Sequence, residues 1–461
     1  MKKITKISLG TLLFVILFYK QDIGLNTAIF AMVVWLLSYQ NLSKNKKSNL
    51  FWTLSFFVFL SGFSFTWYGD EFSFFALFFS ILLFGIQSQY PRINILLFPI
   101  LWFINYATFI FRVFIFKYWV PKKNPQNKLW KRLLAFFLIP GVFVLLFIII
   151  YASASDIFYS ILQKLSINLN FFIIIFLTFF SFIFLFNLWS MFIPKGIIRL
   201  NSLLKNDFEK EKHQQLKQTF SILEIDLERR SGEVTLILLN LLLLIFIIIY
   251  NYEQFFSSAE TVALSAEVHQ RIATIIFSIA MAIILVMFYF KSSFNFDKKA
   301  GRLKRLAFVW IILNAILILV AFIKNSEYIA NYGLTYKRIG VHIFLSLSLV
   351  GLWLTYFKIK YQKTNIFLLN KMTWVFVVTL IVTSWINFSW IVTKYNIVFN
   401  KNNDIEYLQN LNFNKKILYN TYKDNPLWKQ YFANQKEVIN REQNKEFLSS
   451  KLYFYWLDLN K

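Results

Sequence analysis

Apolar runs long enough to cross a bilayer recur through this chain, with Lys and Arg gathered in the polar stretches between them. Few patterns constrain a fold so tightly. Hydrocarbon offers backbone N–H and C=O groups no partner, so a spanning segment must satisfy them internally, as a helix or within a closed barrel. Uninterrupted runs of this length read as helices. Composition agrees: the chain is 57% hydrophobic and 16% charged, whereas soluble domains average about 45–50% and about 25%. The expected fold is all-α, a polytopic transmembrane helical bundle of about eleven spans. An amphipathic cytoplasmic helix and a short helical C-terminal tail complete it.

Taken in order, residues 1–92 read as N-terminal transmembrane hairpins, one of them turning at Tyr68-Gly-Asp-Glu71. The basic start, Met1-Lys-Lys-Ile-Thr-Lys6, lacks a small-residue cleavage site before Lys20 and reads as an uncleaved anchor. Residues 93–132 read as an interfacial or re-entrant elbow plus a basic loop. A single crossing by Ile93–Tyr118 would place the six basic residues from Lys117 to Arg132 outside. It would also put Arg112 in hydrocarbon, at a cost of about 2.5 kcal/mol or more at a helix centre. Residues 133–193 form a further transmembrane hairpin. Residues 194–233 are read as a cytoplasmic amphipathic helical insertion, with Asp207 as N-cap and Leu216, Phe220, Leu223 and Leu227 as its apolar stripe. Residues 234–393 form the C-terminal transmembrane core, whose last span is Met372–Val392. Residues 394–461 form an extracytoplasmic tail.

The formal net charge of +26 could suggest nucleic acid, but a basic face is not what the sequence shows. The cations sit between apolar runs, as the positive-inside rule requires. Of the 38 basic residues before Lys394, 30 fall on the side assigned to the cytoplasm. The N-terminus is therefore expected inside and the tail outside, in the cytoplasmic (inner) membrane. The Phe, Ile, Lys and Asn bias suggests a bacterium with an AT-rich genome. The absence of cysteine excludes disulfides, thiolate metal sites and cysteine nucleophiles.

The stretch Asp226-Leu-Glu-Arg-Arg-Ser-Gly-Glu-Val-Thr-Leu-Ile-Leu-Leu-Asn240 resembles the central signature of a bacterial polytopic membrane family defined by a domain of unknown function, DUF4173. His269 with Ile275-Ile-Phe-Ser-Ile279, Tyr332-Gly-Leu-Thr-Tyr-Lys-Arg-Ile339 and Asp404-Ile-Glu-Tyr-Leu408 match it too. The resemblance covers most of the chain, best from about Asn201 onward. It implies membership without bringing an established activity.

Two groups of charged residues stand out. Arg229, Arg230 and Glu233 sit at a membrane edge, where an i,i+4 ion pair would contribute a few tenths of a kcal/mol. A carboxylate handling ions or protons is the functional alternative. On the outer face, Glu267, His269 and Arg271 precede one span, and Lys337 and Arg338 precede another. Basic residues outside run against the positive-inside trend. Pairing of Lys337 and Arg338 with Glu267 as a structural clamp would account for them, as would a small anion or headgroup site. Glu267 and His269 are two apart and point away from each other on a helix, so no metal site is expected. No nucleophile, zinc or nucleotide motif appears, and neither a catalytic residue nor a cofactor is assigned.

The reading that follows is a non-enzymatic integral membrane protein, structural or sensory. Its partners would be the lipid bilayer, an envelope component outside and a cytosolic protein at 207–230, with no nucleic acid. A transporter of a small solute or ion is the alternative, and a membrane-embedded transferase a more distant one.

Overall fold

The structure is a computed structural model that describes residues 3–40, 48–115, 139–155, 160, 170–208, 224–255, 264–291, 293–401 and 405–458, leaving aside some side chains, among them those of 253–274. Among the described residues the chain is helical, with a single isolated bridge pairing Asp207 and Lys363 and no strand. Among the described residues, seven helices are long and apolar enough to cross a membrane: Asn49–Tyr68, Glu71–Gln89, Phe171–Trp189, Ile225–Tyr252, Lys298–Tyr332, Tyr336–Lys360 and Asn365–Trp385. Leu25–Tyr39, Ile95–Ala107 and Ile275–Tyr289 are shorter apolar helices. This is a membrane protein, and its exposed surface shows it. On Ile225–Tyr252 alone, Leu238, Leu241, Leu242, Ile245, Ile248 and Ile249 face outward, a surface that water would penalise and lipid accepts.

The chain divides into two compact units. The first comprises residues 1–92, 98–193 and 444–452. Its helices are α1 (Lys3–Phe18), α2 (Leu25–Tyr39), α3 (Asn49–Tyr68), α4 (Glu71–Gln89), α5 (Phe98–Ala107), α6 (Phe109–Phe114), α7 (Ile139–Ala154) and α8 (Phe171–Trp189). Asp70 starts α4 by accepting the Ser73 N–H at 2.9 Å, satisfying an orphan donor of the first turn. The α1–α8 and α3–α4 pairs pack most extensively. Polar side chains join helices inside the apolar core: Trp189 Nε1 donates to Ser38 Oγ at 3.0 Å, and Trp35 Nε1 to Ser55 Oγ at 2.9 Å.

The awkward segment before Tyr118 is not one helix. It turns at Thr108 between α5 and α6, and this break lets Arg112 fold back into the unit. Arg112 is 3% exposed. Its guanidinium donates to the carbonyls of Ser190 at 3.0 Å and Asn105 at 2.7 Å, to Thr108 Oγ1 at 3.1 Å and to Asn187 Oδ1. A cation that looked costly in the apolar run is thus met by convergent carbonyl and hydroxyl dipoles.

The second unit comprises residues 93–97, 194–443 and 453–461. It contains α9 (Lys195–Leu203), α10 (Ile225–Phe255), α11 (Leu264–Tyr289), α12 (Gly301–Tyr332), α13 (Tyr336–Lys360), α14 (Asn365–Trp385), α15 (Phe388–Val398), α16 (Ile405–Gln409), α17 (Lys415–Tyr422) and α18 (Lys429–Gln443). Its core forms where α10, α11, α12 and α13 meet, around Leu236, Ile279, Leu303, Leu317, Ile318, Leu345 and Leu352. A second core lies where Ile329, Leu334 and Val392 meet Leu408, Leu418, Trp428 and Phe432 of the tail.

Helix boundaries depart from the sequence reading in two places. Helix α10 begins at Ile225, so the charged Asp226–Glu233 stretch forms its first turns instead of closing a separate insertion. The helix that Asp207 was expected to cap falls outside the described residues; the Asp207 backbone pairs with Lys363, and its carboxylate forms a salt bridge with the Lys363 ammonium. The stripe residues Leu216, Phe220 and Leu223 lie outside the described residues. Finally, the last apolar run breaks after Trp385, separating α14 from α15.

Candidate functional site

A polar cluster of the second unit lies at the N-terminal end of α12, where the linker from α11 meets α10 and α13. Asp297 is the one acidic residue between Glu267 and Glu327, and it is buried. Its Oδ1 accepts the Lys299 N–H at 2.8 Å, capping a short 3-10 turn. Its Oδ2 lies 3.1 Å from Arg229 Nη1, and Arg229 Nη2 lies 2.8 Å from Asp226 Oδ1. Arg229 therefore pairs with a carboxylate one turn earlier and another from the linker. The expected i,i+4 partner, Glu233, is not the one it uses.

Four more donors hold the linker's backbone. Lys304 Nζ donates to Asn295 O at 2.7 Å, and Gln362 Nε2 to the same oxygen at 2.9 Å. Lys358, fully buried, donates from Nζ to Phe290 O at 2.7 Å, and Asn295 Nδ2 also reaches that carbonyl at 2.7 Å. Gly232 lets α10 come close: a Cβ there would lie 2.9 Å from the Tyr289 ring and 3.0 Å from Leu303. The Arg-Arg-Ser-Gly-Glu stretch thus places a cation for Asp297 and a gap for Tyr289 on one helical turn. Arg230 is exposed and Glu233 is half-buried.

The opposite end of α12 carries the second cluster. That helix has 32 residues, which at 1.5 Å each span about 48 Å. Arg338 Nη1 donates to Tyr332 O at 2.9 Å and to Gly333 O, and its guanidinium lies 4.2 Å over the Tyr328 ring. Gly333 has φ +82 and ψ 175, a region open essentially to glycine alone. Thr335 caps α13, and Asn325 Nδ2 donates to Arg338 O at 3.1 Å. Asn325 Nδ2 also lies 3.2 Å from His342 Nδ1, and Ser326 Oγ lies 3.1 Å from His342 Nε2. An amide nitrogen can only donate, so Nδ1 accepts and Nε2 carries the proton.

The tail is bonded to this turn. Asn396 accepts the Leu334 N–H at 2.7 Å and donates to Leu334 O at 2.9 Å, and Tyr407 OH accepts the Tyr336 N–H at 2.9 Å. Within the tail, Lys415 Nζ donates to Gln409 O at 3.1 Å and Tyr431 OH at 2.9 Å. Burial depresses the Lys415 ammonium to about 8 and pushes the Tyr431 phenol up to about 12.

Of the residues singled out in the sequence, Arg338 and Arg229 lie in these two clusters. Lys337 is exposed beside Arg338. The side chains of Glu267, His269 and Arg271 lie outside the described residues, although α11 carries their backbone. Among the described residues, no group of three or more His, Asp or Glu is placed to hold a metal ion. Asp297, Lys304 and Lys358 were not singled out. A signal existed for Lys358: it continues the buried face of α13 through Leu345, Ser348, Gly351, Leu352 and Thr355.

The family model described as "Domain of unknown function (DUF4153)" matches residues 31–416. The chain belongs to that family, a different domain of unknown function from DUF4173, which its signature stretches resemble. The DUF4153 match contains both ends of α12, with Arg229, Asp297, Lys358 and Arg338, and stops within α17, short of Trp428 and Tyr431. No curated protein and no solved structure matches the chain.

Proposed function

We propose that this DUF4153 protein is a non-catalytic, structural or sensory protein of the bacterial cytoplasmic membrane, crossing it many times. Its N-terminus would be inside and its tail outside. The observation that carries this reading is the bonding of the tail to the Tyr332–Tyr336 turn. Arg338, Asn396 and Tyr407 use their polar groups to fix backbone there, so the cluster builds a rigid platform from α12, α13, α15 and the tail. At the other end of α12, the Arg229–Asp297 pair and the Lys304 and Lys358 ammonium groups likewise hold backbone and helix ends. Such latches suit a protein that presents a fixed surface to an envelope component outside, with residues 207–230 available to a cytosolic partner.

Single cysteines test the orientation, because the chain has none of its own. Asn434→Cys on α18 should react with a membrane-impermeant thiol reagent in intact cells. Lys299→Cys should react only after lysis. The reverse pattern would overturn the orientation and move the tail platform to the cytosol.

A further inference from the structure

Helix α15 is inside-out. Its protein-facing arc is Ser389, Val392, Thr393 and Asn396, mostly polar and all buried, whereas Trp390, Ile391, Lys394 and Val398 share the exposed arc. At 100° per residue the two arcs occupy separate sides of the helix. The buried polar groups are accounted for: Ser389 Oγ lies 2.5 Å from Tyr336 OH, Thr393 Oγ1 accepts from Asn414 Nδ2 at 2.7 Å, and Asn396 holds both backbone groups of Leu334. Hydrogen bonds thus fix one side, leaving an apolar arc outward, with Val398 63% exposed. Water would not select that arrangement.

We infer that α15 is a membrane-seated anchor, whose Trp390–Ile391–Val398 arc lies in the headgroup–acyl boundary with Lys394 reaching lipid phosphate. Continuity with α14 argues for lipid as the occupant. Helix α14 has 21 residues, about 32 Å at 1.5 Å per residue, which matches a hydrocarbon core of about 30 Å. Its outward side chains, Phe376, Val382 and Trp385, lead directly to the arc on α15. The break at Ile386–Asn387 therefore falls where α14 has completed a crossing. Lys394 Nζ lies 4.6 Å over the Trp390 ring, pairing an aromatic belt residue with a snorkelling cation. The tail platform, bonded to the other side of α15, is thereby fixed at the bilayer surface.

The inference rests on the membrane reading of α14, and its test separates the two. Nitroxide labels would be attached to single cysteines at Ile391 and Val398, with Phe376 as the lipid reference and Asn434 as the water reference. The full chain would sit in vesicles of phosphatidylethanolamine and phosphatidylglycerol. Collision with oxygen and with a water-soluble nickel chelate is then measured by electron paramagnetic resonance. Labels at 391 and 398 should favour oxygen over nickel several-fold relative to 434, at a shallower depth than 376. Nickel access at 391 and 398 equal to that at 434, with 376 still lipidic, would overturn the anchor. So would poor access to both reagents, which would mean that protein covers the arc. Nickel access at 376 itself would instead bring down the membrane reading of α14.

Discussion

Lys358 Nζ donates to Phe290 O at 2.7 Å, tying the end of α13 to the residue that follows α11. Phe290 O accepts a second bond from Asn295 Nδ2, so the carbonyl keeps a donor if the lysine is removed. The latch combines a hydrogen bond with the volume of a side chain in a packed interior. These two contributions can be separated.

Lys358→Met keeps most of the volume and removes the buried charge. It should change the unfolding free energy by less than about 1.5 kcal/mol, as volume-conserving core exchanges do, or raise it. Lys358→Ala leaves a cavity and should cost about 2–5 kcal/mol. Thermal unfolding in detergent compares them; equal losses in both variants would make the ammonium the essential part.

Asp297 is buried and Arg229 half-buried, so removing one partner strands the other in a largely desolvated site. Asp297→Ala should destabilise by about 3 kcal/mol, the lower end for a broken buried pair, because Asp226 still faces Arg229. A double-mutant cycle with Arg229→Met measures the coupling. Additive single effects would show that the two side chains act independently.

Gly333→Ala should cost about 1–3 kcal/mol, since its backbone occupies a region that a Cβ opposes. Arg338→Lys should also weaken the turn, because an ammonium cannot reproduce the planar stack on Tyr328 together with the carbonyl bonds. Faster limited proteolysis of the tail is the expected readout for both. An unchanged rate would mean that the tail holds without the turn.

Tail stability should depend on pH in two opposing steps. The folded Lys415 titrates at about 8 rather than 10.5, so the folded state binds fewer protons between those values and gains stability as pH rises through them. Folded Tyr431, pushed to about 12 from 10.0, keeps its proton longer than the unfolded chain does. That contribution is present below about 10 and is lost as pH rises from about 10 towards 12. The urea midpoint, read from a fluorophore on Thr421→Cys, should climb above pH 8 and fall at the alkaline end. Lys415→Met should abolish the climb and leave the fall.

Local signals were readable because they act over a few residues. The Tyr68-Gly-Asp-Glu71 turn could be read from its residues, and the structure ends α3 at Tyr68 and begins α4 at Glu71. The long apolar helices were readable for the same reason. Partners were not. Arg229 has carboxylates nearby in sequence, including Glu233 four residues on, yet one of its two partners is Asp297, 68 residues away. Arg112 looked like an intrusion until the break at Thr108 brought it against Asn187 and Ser190.

By itself, the sequence determined a helical membrane protein, because apolar length and the need for internal backbone hydrogen bonds leave little else. Tertiary structure decided what each charge and polar group in the described residues does. It directed Lys358 inward, gave Arg338 to two carbonyls and turned the polar side of α15 towards protein. These choices depend on which helix ends meet, and a bundle sets that by packing side chains from distant segments, which no local pattern encodes.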